Sequence, residues 1–141
     1  MIYCDTSLLV ASLLPEAETE RVLTWKSRQS AEPLAVSGWT VTEVSSALSL
    51  KVRSGAISLE NRTEVLNLWH RLLEQNLVVV PVAAAAFELA ATFTDQVELG
   101  LRAGDALHLA VASLGGYSVA TLDRGMADAA IAFGLAVEAL D

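Results

Sequence analysis

Four acids in this chain stand where solubility alone does not ask for them: Asp5, Glu43, Asp105 and Asp123. Asp5 directly follows the apolar run Met1–Cys4, with no basic residue beside it. Aspartate is a poor strand residue and costly to bury without a partner. Glu43 falls outside the helical stripe of Val41, Val44, Leu48 and Val52, so it borders the core rather than filling it. Asp105 is the only charge between Ala103 and Leu114, and Asp123 closes the run "YSVATLD". Each has a plainer explanation. Asp5 and Asp123 can cap the helices that follow them, and Glu43 and Asp105 can be acids favoured near a helix N-terminus. Taken one at a time, such roles are the commoner ones. Gathered in one half-dry pocket, however, carboxylates repel and take up protons unless a cation neutralises them. Oxygen donors suit Mg²⁺ or Mn²⁺, and neither Cys4 nor the two histidines are spaced for zinc. Mg²⁺ keeps water and phosphate in its shell, so the chemistry implied is phosphodiester hydrolysis.

The elements that must position these acids can be read from periodicity and punctuation. Short apolar runs predict strands at Met1–Cys4, Leu34–Ser37, Leu77–Val80 and Tyr117–Leu122, with Leu135–Leu140 as a fifth strand or a tail. Between them, helices are expected over Thr6–Leu14, ending at Pro15, and over Glu16–Arg28, acidic early and basic late. Others follow over Thr40–Ser54, closed by Gly55, over 58–74, and over Ala83–Val97. Ala103–Leu114 is apolar nearly all round, the mark of a helix buried on most sides, and Arg124–Phe133 is the last. Strands alternating with helices give an α/β chain with a parallel sheet covered on both faces, as one domain over residues 1–141. In such a sheet ligands bind outside the carboxyl ends of the strands. Asp5 and Asp123 end strands, and Glu43 and Asp105 begin helices, so all four belong to that rim.

Composition limits the function classes. The chain is 53% hydrophobic and 18% charged, on the ordered side of the disorder boundary. The longest stretch free of Asp, Glu, Lys and Arg, Ala106–Leu122, barely reaches the roughly 17–25 residues that span a bilayer. His108 and the Gly115–Gly116 pair also divide it, so no membrane segment is expected. Asp5 comes too early for the apolar part of a signal peptide, and the lone Cys4 forms no intrachain disulfide. A cytoplasmic protein with an inert, buried thiol is expected. A net charge of −8 lacks the footprint of a passive nucleic-acid binder. It is compatible with an enzyme that joins carboxylate to phosphate through a cation.

The segments "IYCDTS", "VTEVSSAL", "LRAGDALHLA" and "ATLDRGM" resemble, in order, the four acidic motifs of the PIN-domain nucleases, and most closely their VapC-type toxins. No single motif is specific; the ordered set, spread from residue 1 to about residue 136, is. The resemblance implies a three-layer α/β/α sandwich around a five-stranded parallel sheet and a Mg²⁺- or Mn²⁺-dependent ribonuclease. It further implies an RNA substrate, a cognate antitoxin that blocks the site, and a homodimer. Carried onto this chain, Asp5, Glu43, Asp105 and Asp123 become the catalytic, metal-binding acids. Ser7, in "DTS", becomes the polar group that orients a ligand or metal-bound water; Thr121, read apart from the resemblance, is a substrate-orienting site hydroxyl or an ordinary cap.

Other residues carry weaker expectations. His108 lies one turn from Asp105 and is read as a hydrogen-bonded structural histidine, with substrate contact as the alternative. Thr6 is a site hydroxyl or a cap, and Asp128 a solvated acid on the last helix. Arg102 and Arg124 flank two of the acids, as receivers of RNA phosphate or as counter-charges. Trp25, Trp39 and Trp69 could stack bases, although Trp69 sits at core or interface spacing. The 58–74 helix, with Val65, Leu66, Trp69, Leu72 and Leu73, offers an apolar face for the dimer. Competing readings are less well supported. A haloacid-dehalogenase-like phosphatase expects an acid where Ser7 stands, and a receiver domain expects a lysine after the last strand, yet none occurs beyond Lys51. Nucleotide-binding glycine motifs are absent. A housekeeping nuclease, or a catalytically silent binding module of the same fold, is the alternative to a toxin.

Overall fold

Residues 1–29 and 31–141 are described by the computed structural model. A parallel sheet in the order β3-β2-β1-β4 runs through the middle, made of β1 (Ile2–Cys4), β2 (Leu34–Ser37), β3 (Leu77–Val80) and β4 (Ser118–Ala120). Tyr3 aligns with Ala35 on one side and Val119 on the other, and Ala35 aligns with Val78. The period of two along the strands divides the core into two layers. Ile2, Cys4, Leu34, Val36 and Ala120 face one cluster, while Tyr3, Ala35 and Val119 face the other. The first is covered by α1 (Thr6–Leu13), α2 (Thr19–Arg28), α3 (Gly38–Arg53) and α4 (Leu59–Gln75), through Leu8, Val22, Trp25, Leu48 and Trp69. The second is covered by α5 (Ala84–Thr94), α6 (Ala103–Gly115) and α7 (Arg124–Ala132). This is the expected α/β/α sandwich.

The apolar α6 is buried continuously from Ala106 to Ala112, and its alanines let it lie close against Ala86, Ala90 and Phe93 of α5. It must stop sharply to feed β4. Gly116, at φ +66, adopts the left-handed conformation that favours glycine, and the Tyr117 N–H returns to the Ala112 carbonyl at 2.9 Å. A Cβ on Gly115 would stand 2.1 Å from the Tyr117 ring. Gly115→Ala should therefore destabilise the domain by about 1–3 kcal/mol, as overpacking does, read as a lowered melting temperature. An unchanged melt would show that the ring swings aside freely.

Two expectations need correction. The segment Leu135–Leu140 is not a fifth strand. It touches β4 at one isolated parallel bridge, Val119 with Val137, through the Val119 N–H to Ala136 and the Glu138 N–H to Val119, both 2.8 Å. β4, three residues long, makes its ladder with β1, and Val119 alone of its residues pairs with the tail. The tail is held instead by Leu140 in the core and by Arg21 and Arg28 on the terminal carbonyls. The apolar face of α4 is also not free for a dimer. Trp69 is 1% exposed, and Val65, Leu66, Leu72 and Leu73 pack against this chain's own core. The apolar side chains that α4 exposes are Leu59 and Leu68. Trp25 is likewise core, leaving Trp39 as the partly exposed tryptophan. Burial raises the Cys4 thiol to about 12, with the nearby Asp5 charge adding to it, so the thiol is inert at neutral pH. Among the described residues, no helix is long and apolar enough to cross a membrane.

Candidate active site

Asp5 leaves β1 and caps α1, but a cap is only part of its environment. Its Oδ1 accepts from the Leu8 N–H at 3.1 Å, the Ser7 hydroxyl lies 2.9 Å from both carboxyl oxygens, and Thr121 donates to Oδ2 at 2.8 Å. The side chain is 4% exposed. The two hydroxyls also reach across to the turn after β4: Ser7 accepts from the Leu122 N–H at 3.1 Å, and Thr121 accepts from the Asp123 N–H at 3.0 Å. Ser7 and Thr121 thus tie Asp5 to Asp123. Asp123 is exposed and caps α7 through the Met126 N–H at 2.9 Å. The cap readings for both aspartates are correct as far as they go.

Glu43 and Asp105 approach from the other side. Glu43 stands in the second turn of α3, where its Oε2 accepts from Thr6 at 2.6 Å and meets His108 Nε2 at 2.5 Å. Asp105 opens α6, half-buried, and the helix comes close because Gly104 has no side chain. A Cβ there would stand 2.9 Å from Glu43 Oε1 and 3.3 Å from the Trp39 ring. Glu43, Asp105 and Asp123 line a cleft of about 500 Å³, walled by Trp39, Gly104 and Arg102; Asp5 is buried and does not line it, though its charge reaches Asp105. Asp128 and Arg124 are exposed on α7 and do not line it.

The electrostatics show a shared site. Burial raises the Asp105 carboxyl, and the charges of Asp123, Glu43 and Asp5 raise it further against the opposing pull of His108. Asp5 is raised too, chiefly by burial, with Thr121, the Leu8 N–H, His108 and Ser7 opposing. Burial also pushes Glu43 upward, but the hydrogen bonds from His108 and Thr6 outweigh it and hold the carboxyl below its ordinary value. Among the described residues, no Lys or Arg pairs with Asp5, Asp105 or Asp123. The charge is left for something else to neutralise.

Sequence reasoning missed what lies beneath. Tyr3 projects from β1 onto His108, its hydroxyl 2.8 Å from Nδ1, 2.9 Å from Ser37 and 3.3 Å from Thr40. Tyr3, Ser37, Thr40 and His108 are all buried. The only available signal was a tyrosine inside a strand otherwise buried on both faces, since a buried hydroxyl needs a partner. His108 is the structural histidine expected, with Glu43 as its partner.

A divalent cation fits the donor set in kind: carboxylates only, with His108 on Glu43 as the single basic partner among the described residues. Among the described residues no three His, Cys, Asp or Glu side chains form a ready-made cation cage. Mg²⁺ does not require one, since it commonly takes one or two carboxylates and fills its shell with water and phosphate.

The comparisons agree on the fold. The family model described as PIN domain matches residues 2–132. The FitAcB complex from Neisseria gonorrhoeae is similar in structure at 24% identity, with a TM-score of 0.71 and coverage of 99% of this chain and 98% of that one. A sarcin-ricin-loop-cleaving toxin of Mycobacterium tuberculosis is similar at 18% identity and TM-score 0.73, covering 92% and 95%. DNA-bound VapBC from Salmonella typhimurium is similar at 17% identity and TM-score 0.68, covering 99% and 98%. No curated protein matches the chain.

Proposed function

We propose, from the premise that this chain belongs to the PIN domain family, that it is a Mg²⁺- or Mn²⁺-dependent endoribonuclease and the toxin of a toxin–antitoxin pair. The observation that carries this reading is an acid cluster in which Asp5, Asp105 and Asp123 have no Lys or Arg partner among the described residues. Glu43, Asp105 and Asp123 share one cleft, and the charges of Asp123, Glu43 and the buried Asp5 all raise Asp105. The likeness to a sarcin-ricin-loop-cleaving toxin and to the FitAcB and VapBC complexes supports the RNA substrate and the antitoxin partner.

Asp5, Glu43, Asp105 and Asp123 would hold the cation, which when bound lowers the pKa of water and polarises a phosphoryl oxygen. The rest falls to the protein. Ser7 and Thr121 fix the Asp5 carboxylate, so its charge is held in place without reorganisation. Asp105 takes no hydrogen bond from a protein donor among the described residues, and its carboxylate is free for a ligand. Arg102, exposed at the cleft wall, is placed to receive an RNA phosphate, and Trp39 closes the wall opposite. The acids supply the cation's place; Arg102 supplies the positive charge that the chain's net −8 otherwise withholds from RNA.

Labelled single-stranded RNA should be cut with Mg²⁺ or Mn²⁺ and left intact with chelator. Cutting that survives chelator would contradict the reading. A small protein encoded beside the gene should suppress the activity on co-expression, which separates a toxin from a housekeeping nuclease. The protein acts in the cytoplasm, as a homodimer whose interface lies outside the buried face of α4; sedimentation checks the assembly.

Gly104→Ala gives a sharper test. The added methyl meets Glu43 Oε1 and the Trp39 ring, and the gain in helix propensity, about 0.5–1 kcal/mol, offsets part of that crowding, so stability should fall only slightly. The displaced carboxylate should still cost roughly tenfold or more in cleavage, as a small misplacement at a site does. Full activity would show that Glu43 is not needed where it stands.

A further inference from the structure

The buried polar chain under the cleft has a direction. Ser37 and Thr40 meet the Tyr3 hydroxyl, Tyr3 meets His108 Nδ1, and His108 Nε2 meets Glu43. A core needs none of this, because polar groups cost free energy to bury even when paired. The network itself assigns the hydrogens: Nε2 donates to the carboxylate, so Nδ1 accepts from the Tyr3 hydroxyl. A second donor, Thr6, arrives from α1 at the N-terminal side of the cleft. Both donors reach the same atom, Oε2. Glu43 Oε1 is the oxygen left over, and it is the one that faces Gly104, beside Asp105.

We propose that Tyr3, His108 and Thr6 are positioning residues that fix Glu43 by its Oε2 and present its Oε1 to the cation bound at the acid rim. The proposal rests on the cation-dependent reading above and adds how one ligand of that site is held. A glutamate has three rotatable bonds, and an exposed one would sample many rotamers before binding. Two donors from two different elements remove that freedom before the cation arrives. Gly104 completes the arrangement by leaving the space that Oε1 faces.

Mn²⁺ binding to the RNA-free protein, read by electron paramagnetic resonance, tests this beside thermal melts in chelator. Thr6→Val and His108→Leu each remove one donor to Oε2 and should weaken Mn²⁺ by about 10–100-fold, as loss of outer partners of metal ligands does. His108→Gln keeps an N–H near the Nε2 position and should bind within roughly threefold of wild type. A purely structural role would instead lower the melts of both His108 variants and leave Mn²⁺ affinity alone. Wild-type affinity in Thr6→Val and in His108→Leu overturns the relay, and so does His108→Gln binding as weakly as His108→Leu. Should His108→Leu not fold, Thr6→Val, altered at the open end of α1, decides by itself. A wild-type protein that takes up no Mn²⁺ overturns the proposed function and the relay together, an outcome distinct from variants that bind like the wild type.

Discussion

Asp5→Asn and Asp105→Asn should each lose more than about a hundredfold in RNA cleavage, beyond the loss expected for an outer partner, while remaining folded. For Asp5 the fold should hold because asparagine is itself a good cap, and its oxygen can keep the bond from the Leu8 N–H. Ser7 and Thr121 already accept from the Leu122 and Asp123 N–H groups. Their hydroxyl hydrogens would have to turn, but their positions would not. What asparagine removes is the negative charge. If Asp5 served only to cap α1, Asp5→Asn would be nearly silent and Asp5→Ala would cost on the order of 1 kcal/mol of stability. Cleavage assays with RNA in excess, beside thermal melts of the Asn and Ala variants, separate the two roles. An Asp5→Asn protein that cuts RNA at the wild-type rate would mean that Asp5 answers to the helix alone.

The second large effect concerns stability. Mn²⁺ at a hundredfold excess over its Kd should stabilise the wild type by about 2.7 kcal/mol, because it binds the native state only. For a domain of this size that is on the order of 10 °C. Asp105→Asn should lose most of this rise and start from a higher baseline in chelator. The sign follows from the direction of the shift. The folded-state pKa of Asp105 lies above its ordinary 3.8, so ionising it opposes folding. That destabilisation is fully present above the folded pKa and disappears as the pH falls toward 3.8. Asp5, also raised, acts in the same sense. Glu43 acts oppositely: its stabilising contribution is present above 4.5 and is lost as the pH falls through its depressed folded pKa. The stability advantage of Asp105→Asn should therefore be clear at pH 7 and fade as the pH approaches 4. Melts of the two proteins in chelator across that range measure it, and an Asp105→Asn protein less stable than wild type at pH 7 would sink the strain argument.

The acids were legible because each broke a local rule. An aspartate after an apolar strand, or alone on an apolar helix, is costly enough to need a reason, and four such residues in the order of a known motif set supply one. The strands were legible as short apolar runs, whereas the opposite facing of Tyr3 to Ile2 and Cys4 came with the fold. The relay was not, because Tyr3, Glu43 and His108 lie on β1, α3 and α6, and only the packed fold sets His108 within 3 Å of both Tyr3 and Glu43. The face of α4 misled for a related reason. Its apolar residues are the same whether they cover a neighbouring copy or their own core, and periodicity cannot tell these apart. The tail Leu135–Leu140 is apolar enough to read as a strand, but an apolar run does not fix pairing, and only the Val119–Val137 bridge forms.

The central claim is that the acid rim exists to hold a divalent cation. Anomalous scattering from crystals of the protein grown with Mn²⁺ tests it most directly. The account predicts one strong peak at least in the cleft walled by Trp39 and Arg102, within coordinating distance of the Asp5, Glu43, Asp105 or Asp123 oxygens. A crystal of protein active with Mn²⁺ whose manganese lies elsewhere, with that cleft empty, would contradict it.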